Sequence, residues 1–122
     1  MSWLNVVNDK ALAWLLEPDP VNPGVRLFAL RDLLDRPADA AEVVAAQAAV
    51  MQHGPVPAIL DAQHPDGYWH KPGGGYGKHR GTAWQIIFLG ELGADPHDAR
   101  VQQALVWQAR AITGEEPIRY YQ

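Results

Sequence analysis

The sequence predicts an all-α fold of about six helices in three stacked hairpins. Three observations carry this. Apolar residues recur at i, i+3, i+4 spacing along most of the chain. Prolines, glycines and Asp/Asn/Ser/Thr cap candidates interrupt that pattern at helix-length intervals. No segment alternates apolar and polar residues in the way a half-buried strand does.

The first helix is expected from Ser2 to Glu17, with Ser2 as N-cap and Leu4, Val7, Ala11, Trp14 and Leu15 on one face. Pro18 and Pro20 end it, because proline donates no backbone hydrogen bond and restricts the residue before it. Asn22 as cap and Pro23 at the first helical position start the second helix, which carries Leu27, Leu30, Arg31 and Leu34 to a stop at Pro37. Asp39 is expected to cap the third, alanine-rich helix, Ala40 to Gln52, with Val43, Val44, Val50 and Met51 as its larger contacts. His53-Gly54 closes it. Pro55 and Pro57 open a short fourth helix through Ala62. Five glycines and prolines between Lys71 and Gly77 make an irregular loop. Thr82 is expected to cap the fifth helix, with Trp84, Ile86, Ile87, Phe88 and Leu89, ending at Leu92-Gly93. Asp95 or Asp98 caps the sixth, whose Val101, Ala104, Leu105, Gln108 and Ile112 share a face.

A weak internal repeat accompanies this pattern. Leu34 to Ala46 aligns without a gap on Leu92 to Ala104, matching Leu34 with Leu92, Ala41 with Ala99, Val43 with Val101 and Ala46 with Ala104. Each copy places a Pro/Asp loop between two helices, as stacked helical hairpins do.

The chain has 122 residues, the length of a single domain, and ordinary globular composition. It contains no cysteine, so disulfide and thiolate chemistry are excluded. A net charge of −4 argues against a nucleic-acid partner, which demands a basic face. The start, Met1 to Asn5, lacks a basic segment followed by an apolar run, and no apolar run reaches bilayer length. A cytoplasmic protein without a transmembrane segment is the expectation.

The segment Gln63-His64-Pro65-Asp66-Gly67-Tyr68-Trp69 stands out. Gln63 can bond free backbone groups at a helix end. Asp66-Gly67 favours a tight turn, since glycine tolerates positive φ. Trp69 supplies a large apolar plate with one polar N–H. Gln63, Asp66, Gly67 and Trp69 together are expected to staple one hairpin to the next.

Leu60-x-x-Gln63-x-x-Asp66-Gly67-x-Trp69 resembles the QW repeat of squalene-hopene cyclases and related α/α-toroid proteins. The run Tyr76 to Gln85 is similar to the segment that follows this repeat in bacterial prenyltransferase/squalene-oxidase-repeat proteins, and Leu89 to Pro96, Asp98 to Val101 and Val25 to Leu34 extend the likeness over most of residues 20 to 110. The family's toroid is a closed ring of inner and outer helices, about twice as many as this chain carries. The resemblance therefore implies half of an α/α toroid. A second motif expected after Trp107 is poorly matched by Gly114-Glu115-Glu116-Pro117.

The family's chemistry does not transfer. Its cyclases use an Asp-x-Asp-Asp acid that must stay protonated, and no such motif exists here. Asp32 and Asp35 read as solvated helix charges. Its zinc prenyltransferases hold metal through Asp, Cys and His, whereas this chain has neither cysteine nor a close His pair at ligand spacing. Gly73 to Lys78 falls short of a phosphate loop in spacing and lacks the hydroxyl residue. No catalytic residue, metal ligand or cofactor is assigned. Lys78, His79 and Arg80 precede a helix start, where backbone N–H groups favour anions, and the resemblance suggests diphosphate. Aromatics such as Trp69, Tyr76 and Trp84 would line an apolar cavity in a complete toroid. These six residues form the candidate ligand site.

Two functions remain. One is a non-catalytic binding module that pairs with itself around an apolar cavity, with an isoprenoid-like ligand. The other is the N-terminal part of a cyclase-like or prenyltransferase-like enzyme whose acid or metal ligands lie elsewhere.

Overall fold

The computed structural model describes residues 9–72 and 78–114. The expected Ser2 cap, Leu4, Val7, Tyr76 and the Glu115–Pro117 stretch lie outside these. The described residues are all-α, with six helices: α1 Asp9–Leu16, α2 Gly24–Phe28, α3 Ala41–Gln52, α4 Pro55–Asp61, α5 Thr82–Glu91 and α6 Ala99–Thr113. A π-helical turn, Ala29–Leu33, continues α2. Each helix packs on its chain neighbours, α1 also on the π turn. No single described helix is long and apolar enough to cross a membrane.

The core follows the expected helical spacing. Leu27 and Leu30 from the second segment, Val43, Ala46 and Val50 from α3, Val56 and Leu60 from α4, Leu89 from α5 and Val101 and Ala104 from α6 are buried together with Trp69. Alanines at 46 and 104 keep the side chains at the helix crossings small. Val44, expected as a contact of α3, faces outward.

Several local expectations are corrected. In α1 the inward residues are Leu12, Leu15 and Leu16, all partly buried, while Trp14 is 67% exposed and Ala11 is exposed. The packed stripe sits one position from the Ala11–Trp14 face. Asn22 makes no side-chain cap. Asp19 does the local bonding instead, its Oδ1 accepting from the N–H groups of Val21 (2.9 Å) and Asn22 (3.1 Å). Asp39 does not cap α3, because the cap position falls on Ala40, one residue later. Thr82 does not cap α5 either. Gly81 holds the extended cap position, and Thr82 is a fully buried first-turn residue. Asp98 does cap α6, accepting from Arg100 N–H (2.9 Å) and Val101 N–H (3.3 Å), whereas Asp95 takes His97 N–H (2.9 Å).

The internal repeat is geometric as well as sequential. The caps of α3 and α6, Ala40 and Asp98, have nearly the same backbone angles, φ −60°, ψ 136° and φ −61°, ψ 136°. Ala40 N–H bonds Pro37 O at 3.0 Å and Asp98 N–H bonds Asp95 O at 3.1 Å. The preceding helices end on matching residues too, Leu34 and Leu92, each followed by a positive φ at Asp35 (53°) or Gly93 (86°).

One difference between the copies explains the π turn. Leu92 N–H bonds Phe88 O four residues back, but Leu34 N–H bonds Ala29 O five residues back. Beyond the turns, Ala94 N–H returns to Leu89 O, and Arg36 N–H returns one residue further, to Leu30 O. The first hairpin therefore carries one extra residue, absorbed as the wide π turn. With it, Leu30 and Leu89 both point into the core.

Candidate functional site

The Gln63–Trp69 turn is built from the chain outward. Gln63 follows α4, its N–H bonded to Leu60 O (3.2 Å). His64, Pro65, Asp66 and Gly67 form a four-residue turn closed by Gly67 N–H to His64 O (2.8 Å). His64 N–H then returns to Tyr68 O (2.8 Å). Gly67 has φ 112°, and a Cβ there would lie 2.9 Å from Gln103 Cγ and 3.0 Å from Gln103 O. Glycine serves both the turn and the close approach of α6.

The polar arms of Gln63 and Trp69 fasten helices. Gln63 Nε2 donates to Gly67 O (3.1 Å) and to Arg100 O in the first turn of α6 (2.9 Å). Trp69 Nε1–H donates to Ile59 O in α4 (2.7 Å), and Trp69 N–H donates to Thr82 Oγ1 in α5 (3.1 Å). Trp69 is 4% exposed. From the other side, Gln103 Nε2 donates to Pro65 O. Gln63 and Trp69 thus join α4, α5 and α6 in one hydrogen-bond network that runs from the buried Trp69 N–H to the surface at Arg100.

Asp66 contributes through its backbone. Its N–H donates to His64 Nδ1 (3.0 Å), and its exposed carboxylate lies 3.6 Å from the same nitrogen. Tyr68 is a contributor that the motif's spacing does not single out. Its ring stacks on His64 (4.2 Å between centroids, 14° between planes) and meets Trp107 of α6 at 4.9 Å. An aromatic inside an Asp-Gly-x-Trp turn was the available sign. Asp61, at the end of α4, lies 3.6 Å from Arg100 at the surface.

The remaining candidate residues divide. Trp69 is a core residue with both N–H groups bonded, so it presents no polar atom to a ligand. His79, at φ 61°, lies edge-on to Trp84 (4.7 Å), and Trp84 meets Phe88 at 5.9 Å. Lys78, His79 and Arg80 are exposed, and His79 O accepts from Gln85 Nε2 (3.0 Å). Tyr76 lies outside the described residues. An open apolar cleft of about 150 Å³ lies between α2, α3, α4 and α5, lined by Val25, Phe28, Val50, Val56 and Leu92 with Asn22 and Glu91 as polar neighbours. Trp69, Lys78, His79, Arg80 and Trp84 are not among its lining. Among the described residues, no three His, Asp or Glu side chains converge as metal ligands would.

Neither a protein-family model, nor a curated protein, nor a solved structure matches this chain.

Proposed function

We propose that this chain is a non-catalytic helical-repeat module on half of a QW-type α/α-toroid plan. It works by binding: it pairs with a second copy and encloses an apolar cavity suited to an isoprenoid-like ligand. The observation that supports this best is the use made of the motif. Gln63, Gly67, Trp69 and Thr82 are consumed in fastening helices to one another. These four build a scaffold, and none of their bonded polar groups is left for a substrate.

Large apolar side chains exposed near both ends of the described chain support pairing. Trp14 and Val21 are uncovered near one end, Leu105 and Ile112 near the other. Light scattering across a concentration series tests the reading. A mass of two chains that falls on dilution is expected, and a monomer at every concentration overturns it.

A further inference from the structure

We infer that the exposed side of α6 around Leu105 and Ala109 docks a second copy of this chain, which presents its Asp35–Ala38 turn to it. The inference rests on the self-association proposed above and specifies its surface.

The chain already makes one such interface internally. The side of α3 that carries Gln47 and Met51 is covered by the turn before α6. Gln47 Nε2 donates to Gly93 O (2.8 Å), and Asp95 N–H points at Met51 Sδ (3.2 Å). Extending the repeat alignment along the two helices carries Gln47 to Leu105, Val50 to Gln108 and Met51 to Ala109. Gln47 and Met51 are partly buried and Val50 is fully buried. Two of their counterparts on α6 are open, Leu105 at 40% exposure and Ala109, while Gln108 is partly buried.

The complementary half is open as well. The turn that matches Gly93–Asp95 is Asp35–Pro37. It has the same positive φ at its first residue, and Asp35, Arg36, Pro37 and Ala38 are all exposed. Among the described residues, one copy therefore carries both partners of an interface that the chain already makes once internally, and both are open. Another molecule of this chain offers the matching turn on the matching backbone.

Such a contact is head-to-tail: α6 of one copy meets the turn of the other. Two copies that close on each other form it twice.

Mass measurement by sedimentation equilibrium on three variants tests this. Leu105→Arg and Ala38→Arg each place a charge in the contact and should raise the dissociation constant at least roughly tenfold. Ile87→Arg changes an equally exposed apolar residue on α5 (48%) and should leave the mass as in the wild type. Circular dichroism melts check that each variant is folded. Mixing the Leu105→Arg and Ala38→Arg chains should restore association, since one intact contact then forms. A wild type that pairs while Leu105→Arg still pairs overturns this surface and leaves self-association standing. An Ala38→Arg chain that pairs normally overturns the head-to-tail geometry, and equal loss in Ile87→Arg overturns the localisation to α6. A monomeric wild type overturns both proposals.

Discussion

The chain holds two three-helix units, α1–α3 and α4–α6, that solve one fastening problem with different residues. In each unit the first helix end must be tied to the first turn of the third helix. In the first unit a single side chain does this. Arg26 Nε donates to Leu16 O at the end of α1 (3.0 Å), and its NH1 donates to Glu42 O in α3 (3.4 Å). In the second unit two residues share the work. Trp69 reaches Ile59 O in α4, and Gln63 reaches Arg100 O in α6. Glu42 and Arg100 are matched positions of the repeat. The planar, multi-donor guanidinium spans both carbonyls at once. The Gln63–Trp69 turn spans them with a longer loop and adds a buried aromatic. The fastening geometry belongs to the hairpin plan, and the motif is one way to meet it.

The sharpest way to break this equivalence is at Trp69. Trp69→Ala removes a nearly fully buried side chain and its bond to Ile59 O, and should cost about 3–5 kcal/mol in denaturant unfolding. A loss below about 1 kcal/mol would make the turn a surface ornament. Arg26→Ala in the first unit removes two charge-assisted bonds from a partly buried group. A cost of roughly 1.5–3 kcal/mol is expected, with Arg26→Lys failing to recover it because one ammonium cannot span both carbonyls. Equal, full recovery by lysine would show that only charge matters there.

The helix caps allow a finer comparison. Ala40 and Asp98 share backbone angles, yet only Asp98 caps with its side chain. Asp98→Ala should lose roughly 0.5–2 kcal/mol, and Ala40→Ser should gain somewhat less, about 0.5–1 kcal/mol. The pair is read as opposite shifts in unfolding midpoint. Smallest of all is Asp35→Gly. Asp35 holds φ 53° where its counterpart Gly93 holds 86°, so glycine should stabilise the first turn by up to about 1 kcal/mol. A loss on Asp35→Gly would show that the carboxylate has a role in the turn that Gly93 does not share.

Much of this was legible in the residues, and the exceptions have a common cause. Helix existence and type depend on periodicity over many residues, so the six segments emerge near their expected places. Cap identity depends on the backbone angles of one residue. A shift of one position moves the cap from Asp39 to Ala40 and from Thr82 to Gly81. Thr82, displaced from the cap, becomes the buried acceptor for Trp69 N–H. The inward face of α1 escaped for a similar reason. Ala11–Trp14–Leu15 and Leu12–Leu15–Leu16 are both helical stripes, and only the neighbouring helix selects between them. The staple was legible as a staple, since Gln, Asp-Gly and Trp each have one obvious physical use. Its three destinations, Ile59, Thr82 and Arg100, were not, because they come from helices up to 37 residues away along the chain.

The repeat divides in the same way. The alignment of Leu34–Ala46 with Leu92–Ala104 needs only residue identities, because equal spacing of equal residues imposes equal local geometry. The extra residue that becomes the π turn is invisible in that alignment, since it lies before Leu34. It appears only when two helices must bring Leu30 and Leu89 to the same core. Local chemistry, summed over short windows, determines which segments are helical and where a turn must close. Which face is buried, which residue caps and which carbonyl receives Gln63 are settled by packing, where elements distant in the chain compete for the same space.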